Sequence, residues 1–575
     1  MGTSRLPIPL FADLERFGRQ VVRSDLLAGL TTAVLLVPQS MAYALMAGLP
    51  PVTGLYAALM PPLGYVLVGS SRELSVGPTA IDSLLVLAAL GGIAELPKEQ
   101  YASAAALLCL MVGLLQLTMG ALRLGHVVTL LSQPVLSGFT SAAALLIAFA
   151  QLPHLLGLPA VRDATLFGIV RELHPYFTAI HLPTLLLALG SGLILLAQVR
   201  HFPRAPGALV VIFLGSLVPL LVQGPFAEVS VVGPVPRGLP SFELPVFELS
   251  LAQRLLPSAI TIAIVGFMES IAVGRFYAQR GRYLLQSDRE LLALGVVNVL
   301  GGLFRGYPAT GSFSRTAVNA RAGARTTLSI AFASLIVGVS LLLFTPLFSY
   351  IPKAALAAII VAAVLGLVDV AQVREKFRIQ KSEGVILLIT FAATVTLGVV
   401  AGLVLGIMSS LAWFLARATR PHIAVLGRVP GTLLFKDVKR NKNLITYDDV
   451  LIIRPDAQLF FANAEYLRDQ LARLEGRAKR SLTAIIIDAG AIPSIDSTAA
   501  DLLEELDTAY RARGVEFYLT GIKGPVRDIL ERTGYWERRR EMLSCISVHE
   551  ALLRHESRRD PRSFFPRPPS SAPRP

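Results

Sequence analysis

The stretch RGYPATGSFSRTAVN, Arg305–Asn319, lies between two strongly apolar runs and decides how the rest of the chain is read. It gathers proline, glycine, several hydroxyls and Arg315 at a place where the flanking sequence predicts membrane depth. Extended backbone there must find its hydrogen bonds in protein or in a water-filled cavity, because lipid offers none. An earlier stretch, GSSRELSVGPTAIDS, Gly69–Ser83, has the same texture. Each reads as extended chain that then enters a short apolar helix, and the two sit in corresponding places, one early in each half. Paired broken segments of this kind point to a transporter with an inverted repeat, whose site forms where the half-helix N-termini meet near the midplane. The free N–H groups and positive dipole ends of such termini favour an anion.

Composition agrees with a membrane location. Of 575 residues 53% are hydrophobic and only 16% charged, and the mean hydropathy of +0.61 is far above that of an ordinary soluble chain. The formal net charge of +14 comes largely from arginines just past the apolar runs and from the last hundred or so residues. Nucleic acid is the rival explanation for that charge, but no basic stripe interleaved with aromatics and no recognition motif is present. Cys109 and Cys545 are the only cysteines, which excludes a disulfide framework and a CxxC metal site. The mixed, charged start MGTSRLPIPLFADLERFGRQVVRSD is not expected to be a secretory signal peptide.

Apolar runs near the twenty residues needed to cross a bilayer fall at 26–45, 53–69, 77–94, 101–121, 127–151, 181–199, 207–223, 255–274, 289–304, 326–345 and 347–368. The run Gly384–Ala416, about thirty-three residues, is too long for one span and suits two short helices. With the interrupted piece at 312–320 the expectation is about fourteen segments, an even number that places both termini on one side. Arg72, Arg123, Arg200 with Arg204, Arg275 through Arg289, Arg321 with Arg325, Arg374 through Lys381, and Arg417 with Arg420 then share a side, which the positive-inside rule makes cytoplasmic. The opposite loops are sparser or acidic, around Glu95, Glu99 and Glu228 onward, with Arg162 and Arg171 as exceptions.

The segment PPVTGLYAALMPPLGYVLVGSSRELSVGPTA, Pro50–Ala80, closely resembles the signature of the SulP anion permease family. VPQSMAYALMAGLPP before it, GFMESIAVGR at Gly266–Arg275 and SFSRTAVNARAGART at Ser312–Thr326 are similar to further family segments. The likeness runs from about Asp25 to Trp536. It implies an α-helical polytopic membrane protein of fourteen segments in two inverted sevens, split into a core (transport) and a gate (scaffold) domain, followed by a cytoplasmic α/β STAS domain. Domain bounds are expected at 1–24 for a cytoplasmic N-terminal segment, 25–420 for the transport domain, 421–447 for a linker, 448–555 for the STAS domain and 556–575 for a disordered tail.

An intramembrane arginine is costly enough to be functional by default, and the resemblance gives Arg315 the role of adding positive charge to the anion site; an arginine that snorkels or pairs with a distant acid is the alternative. Ser314 beside it offers a hydroxyl to the anion or bonds its own helix backbone. Gln39 and Tyr43, four residues apart, share one face of the first span; the resemblance places them in the pocket, as hydrogen-bond donor and aromatic wall, while Gln39 after Pro38 could instead repair a kink. Thr79 begins the first half-helix, so its hydroxyl and the N–H groups of Ala80 and Ile81 are candidate anion contacts, although capping alone would look the same. Glu269 sits mid-run in ITIAIVGFMESIAV, where a bare carboxylate costs several kcal/mol unless paired or protonated. The resemblance associates this position with coupling to H+ or Na+, and protons are expected here; a permanent ion pair with Arg315 is the alternative. Asp82 and Asn319 are candidates for the surrounding support.

After Arg420 the strand-like runs VLIIRP, TAIIIDAG and GVEFYLTG alternate with amphipathic stretches, as in a small α/β domain. IPSIDSTAADLLEEL carries the resemblance to STAS domains, and Ser497 matches the position phosphorylated in anti-sigma-factor antagonists. Simple helix capping by Ser or Thr there, with Thr498 and Asp501 as a near capping box, competes with phosphoregulation. The tail HESRRDPRSFFPRPPSSAPRP has a disordered composition.

The resulting expectation is a secondary active transporter of inorganic anions, proton-coupled sulfate uptake by alternating access, in a bacterial inner membrane with both termini cytoplasmic. A homodimer in membrane lipid and a cytoplasmic protein partner of the STAS domain are also expected; no cofactor, metal, catalytic residue or nucleic-acid partner is. Bicarbonate or dicarboxylate transport with Na+ or H+, an uncoupled channel or exchanger, and a membrane-anchored regulator are the alternatives. An enzyme is not expected, because GSFSR is not GxSxG and no phosphate loop or zinc triad occurs.

Overall fold

Fourteen helices occupy the expected apolar segments. The computed structural model describes residues 18–93, 97, 100–125, 132–159, 165–201, 207–221, 225–365 and 370–559. The first seven are α1 (Arg19–Met46), α2 (Pro51–Val68), α3 (Ala80–Gly91), α4 (Tyr101–Ala121), α5 (Gln133–Ala150), α6 (Leu182–His201) and α7 (Gly207–Leu221). The second seven are α8 (Leu249–Gly281), α9 (Ser287–Leu303), α10 (Phe313–Arg321), α11 (Leu328–Leu343), α12 (Lys353–Leu365), α13 (Lys381–Leu397) and α14 (Val399–Thr419). Two helices exceed their apolar runs by more than a turn: α1 starts at Arg19 and α8 runs from Leu249 to Gly281. Hydropathy marks only the part suited to hydrocarbon, whereas the backbone ladder continues into polar ends that water can solvate. The long run at 384–416 is divided at Gly398, whose φ of 91° no helix accommodates.

Among the described residues, seven helices are long and apolar enough to cross a membrane. The third helix of each set is not. Helix α3 has 12 residues and α10 has nine, lengths of roughly 18 and 14 Å at 1.5 Å per residue. Each follows a two-residue strand, β1 (Val76–Gly77) and β2 (Thr310–Gly311), and these strands pair antiparallel with Val76 opposite Gly311 and Gly77 opposite Thr310. Antiparallel leads are what a two-fold axis in the membrane plane requires of the two halves.

Helices α1–α4 pack with α8–α11 as one bundle, and α5–α7 with α12 and α13 as another, which α14 joins through Gly402 and Gly406 against Thr394, Thr390 and Val135, matching the expected core and gate. Close approach is built in with small residues, as elsewhere between membrane helices: a β-carbon at Gly54 of α2 would lie 1.9 Å from the Ser40 carbonyl oxygen of α1. Outward-facing Leu189, Leu193, Leu196, Phe213 and Leu343 remain exposed, the surface that lipid would cover.

Contacts divide the chain into Met1–Ser410 and Leu411–Pro575. The second unit holds a five-stranded sheet of order β4-β3-β5-β6-β7, with β3 (Ile423–Arg428), β4 (Phe435–Asp437), β5 (Val450–Pro455), β6 (Ala484–Asp488) and β7 (Glu516–Thr520). Strands β5, β6 and β7 are parallel, and β3 is antiparallel to β4 and β5. Period-two alternation sends Ile485, Ile487, Phe517 and Leu519 toward α15 (Ala464–Glu475), α16 (Ser497–Ala512) and α17 (Gly524–Arg532). Ile486 and Tyr518 face the other way, onto Met542, Val548 and Leu552.

Two expected bounds shift. Residues 421–447 are not a linker, because they supply β3 and β4, short strands whose Gly and Pro made them read as loop. Residues 556–559 belong to α18 (Val548–Arg559), which covers the second face of the sheet; the rest of the expected tail, most of the 1–24 segment, and Glu95, Glu99, Arg162 and Arg204 lie outside the described residues.

Candidate functional site

The two half-helices bring their N-termini to the paired leads. At the first, Thr79 is the N-cap: its hydroxyl oxygen accepts from the Asp82 N–H at 3.2 Å and donates its own hydrogen to Asp82 Oδ2 at 2.8 Å. That hydroxyl is therefore occupied within the cap, contrary to the expectation that it contacts an anion. At the second, Ser312 caps without a side-chain bond to the helix, and its N–H donates to the Ser75 carbonyl at 3.0 Å. The first-turn N–H groups of Ala80 and Ile81, and of Phe313, Ser314 and Arg315, have no intrahelical partner.

Arg315 is fully buried, 0% exposed. Its Nη1 donates to the Pro78 carbonyl at 2.7 Å, while Nε and Nη2 find no partner. A buried guanidinium with two idle donors is unusual, since burying unpaired polar groups is costly. Gly77, at φ 155°, makes room for it, because a β-carbon there would stand 3.3 Å from Nη2.

Glu269 on α8 is half-buried and its Oε2 has no partner. No ion pair joins it to Arg315 among the described residues, so the permanent pair considered from the sequence is absent. Tyr43, Asp82, Glu269 and Tyr307 nevertheless all act electrostatically on Arg315, which places them around one charge. Gln39 is nearly buried and its Oε1 is unpartnered, so its amide is not spent repairing the Pro38 kink through that oxygen. Ser314 is exposed and bonds Ser312 Oγ at 3.3 Å rather than its own helix backbone. Asn319 is fully engaged elsewhere: Nδ2 donates to the Glu73 carbonyl and Ser329 Oγ, and Oδ1 accepts from Thr32. It pins α10 to α1 and α11 instead of facing the cluster.

A protein-family model for the sulfate permease family matches residues 22–390, and a STAS domain model matches 441–538. The chain belongs to the sulfate permease family. It is 38% identical to a sulfate transporter (4.1, chloroplastic) of Arabidopsis thaliana over 92% of this chain and 79% of the relative. With a probable sulfate transporter of Mycobacterium tuberculosis it shares 34% over 91% of this chain and 93% of the relative. Among solved structures the permease superposes on the murine solute carrier 26 family member A9 anion transporter in its inward-facing state, with TM-score 0.88 at 23% identity, covering 96% and 94% of the two chains. Its membrane part resembles the transmembrane domain of a cyanobacterial bicarbonate transporter, BicA, with TM-score 0.60 at 25% identity over 69% of this chain and 98% of that one.

In the permease's STAS domain the cap of α16 is Asp496, not Ser497 or Thr498. Asp496 Oδ1 accepts from the Ala499 N–H and Oδ2 from the Phe461 N–H, each at 2.8 Å. Ser497 is exposed in the first turn.

Three polar residues of the membrane cluster escaped the sequence reading. Thr310 donates to Asp82 Oδ2, and Ser83 bonds both the Thr79 carbonyl and the Tyr307 hydroxyl. Tyr307 and Thr310 lie within the quoted stretch, but their partners are more than two hundred residues away, beyond any local pattern.

Proposed function

We propose that this permease is a secondary active transporter of inorganic anions that takes up sulfate together with protons by alternating access. The observation that carries the reading is Arg315, fully buried between two half-helix N-termini with Nε and Nη2 unpartnered. Three unpartnered guanidinium N–H groups, a full positive charge and two sets of free backbone N–H groups suit a tetrahedral oxyanion. The names of the curated relatives support sulfate among such anions.

The core bundle carries the anion past the gate bundle, with Gln39, Tyr43, Ala80 and Ser314 completing the pocket around Arg315. Glu269 takes a proton from one side and releases it on the other, its unpartnered oxygen being the acceptor. The protein works as a homodimer in the inner membrane with both termini cytoplasmic, and exposed Ser497 is the regulatory phosphorylation site of the STAS domain.

The test is labelled-sulfate uptake into proteoliposomes with and without an inward proton gradient. Gradient-driven accumulation that Glu269→Gln weakens, with anion exchange retained, upholds the reading. Movement of bicarbonate or a dicarboxylate but not sulfate keeps the pocket and replaces the substrate.

A further inference from the structure

A second carboxylate of the core is left without a role by the mechanism above. Asp82 lies in the first turn of α3 and is 0% exposed. Its Oδ2 is held by two neutral donors, the hydroxyls of Thr79 and Thr310. Its Oδ1 is buried and has no partner. That free oxygen points at α8: a β-carbon on Gly266 would stand 3.6 Å from it, and Glu269 follows on the same helix one turn later, with its own free Oε2. Asp82 is among the charges that act on Glu269. The other titratable or charged groups around Asp82 are Arg315 from α10, Tyr307 from the second lead and Cys109 from α4; Tyr43 of α1 acts on Arg315 and Glu269. Helix α5, which also packs against α3, contributes no charged residue. No cation neutralises Asp82 by direct contact among the described residues, although a buried ionised carboxylate ordinarily demands one.

We propose that Asp82 is a second proton carrier, and that each sulfate crosses with two protons, one on Asp82 Oδ1 and one on Glu269. The inference rests on the proton-coupled sulfate reading. Charge decides it. Empty and with both acids ionised, the core holds one positive and two negative groups. Loading a dianion with both acids protonated leaves one positive group against two negative charges, the same net charge, so loaded and empty cores cross the membrane with equal electrostatic cost. Loading with a single proton would leave an extra buried negative charge. Asp82 Oδ1 and Glu269 each take a proton from water admitted to the pocket on one side and release it to water on the other, with no other bond made or broken.

The experiment measures the equilibrium sulfate accumulation ratio in proteoliposomes, with the membrane potential clamped. As an endpoint it is insensitive to a variant that merely works slowly. Each coupled proton contributes a factor of about ten per pH unit at zero potential, so the native protein accumulates sulfate about 100-fold per unit, independent of imposed voltage. Asp82→Asn lowers the ratio to about 10-fold per unit and makes it voltage-dependent. Glu269→Gln, which leaves Asp82 in place, does the same, so the proposal remains testable if one variant fails to fold. A native ratio of tenfold, or an Asp82→Asn ratio equal to the native one, overturns the assignment while leaving proton coupling intact. If the gradient drives no accumulation in the native protein, the proton-coupled reading itself fails.

Discussion

Arg315 reaches from α10 to the chain that leads into α3, its Nη1 donating to the Pro78 carbonyl at 2.7 Å, so one residue joins the two half-helices and still has two donor nitrogens, Nε and Nη2, to spare. A lysine ammonium is a point charge that cannot hold the carbonyl and present a fixed planar pair of donors as well. Arg315→Lys is therefore expected to keep the fold and lose affinity for sulfate by about 10- to 100-fold, the worth of one charge-assisted hydrogen bond at roughly 1.5–3 kcal/mol. Equilibrium binding of labelled sulfate to purified protein checks this, and unchanged affinity contradicts it.

Gly77 takes φ 155° beside that guanidinium, and a β-carbon would meet Nη2 and Leu36 Cδ1, both at 3.3 Å. Gly77→Ala combines backbone strain of order 1 kcal/mol with a displaced Arg315. Sulfate affinity should fall while detergent thermostability changes only modestly; the reverse pattern would give Gly77 a purely structural part.

Gly54→Ala should act on the fold itself. Its β-carbon would sit 1.9 Å from the Ser40 carbonyl, backbone that cannot swing aside, so α1 and α2 must separate. Size-exclusion chromatography is expected to show loss of the monodisperse species. Gly190→Ala, where nothing lies within 4 Å, serves as the silent control.

Segment number and the two broken helices were legible because hydropathy and Gly/Pro punctuation are local. The β1–β2 pairing and the Asp82–Thr310 bond were not, since each joins residues more than two hundred apart. Arg315 was found because charge in an apolar context is conspicuous; Tyr307, Ser83 and Thr310 were missed because hydroxyls in membrane helices usually bond their own backbone. Strands β3 and β4 hid in a Gly-, Pro- and Lys-containing stretch that becomes strand only by pairing with β5 and with each other.

In the STAS domain Asp496 serves two backbone donors, of Ala499 and Phe461. Asp496→Ala should destabilise that unit by about 0.5–2 kcal/mol, the usual worth of an N-cap. Trp536, packed in its core, reports the unfolding by fluorescence in a Trp413→Phe background. Ser497→Ala should leave the transition unmoved, and a shift there equal to that of Asp496→Ala would return the cap to Ser497.

Acid should loosen α18 from the sheet. Burial alone would raise the Glu516 carboxyl, but hydrogen bonds from His555 and Tyr518 outweigh it and hold it below its ordinary value. Asp449 is held low first by its hydrogen bond from Arg559. A carboxyl depressed in the folded state stabilises above its unfolded value and loses that contribution as pH falls through the folded one. The same fluorescence transition should therefore weaken below about pH 4.5, near the unfolded carboxyl values, and Glu516→Gln should flatten the decline. An identical acid profile in that variant would remove Glu516 from the account.

Counterflow of labelled sulfate into proteoliposomes preloaded with unlabelled sulfate, without any pH gradient, isolates anion binding and translocation from coupling. The native permease should show a transient overshoot, and Arg315→Gln, still monodisperse, should show none. An overshoot in Arg315→Gln equal to the native one would contradict the central claim that the buried arginine between the half-helices holds the anion.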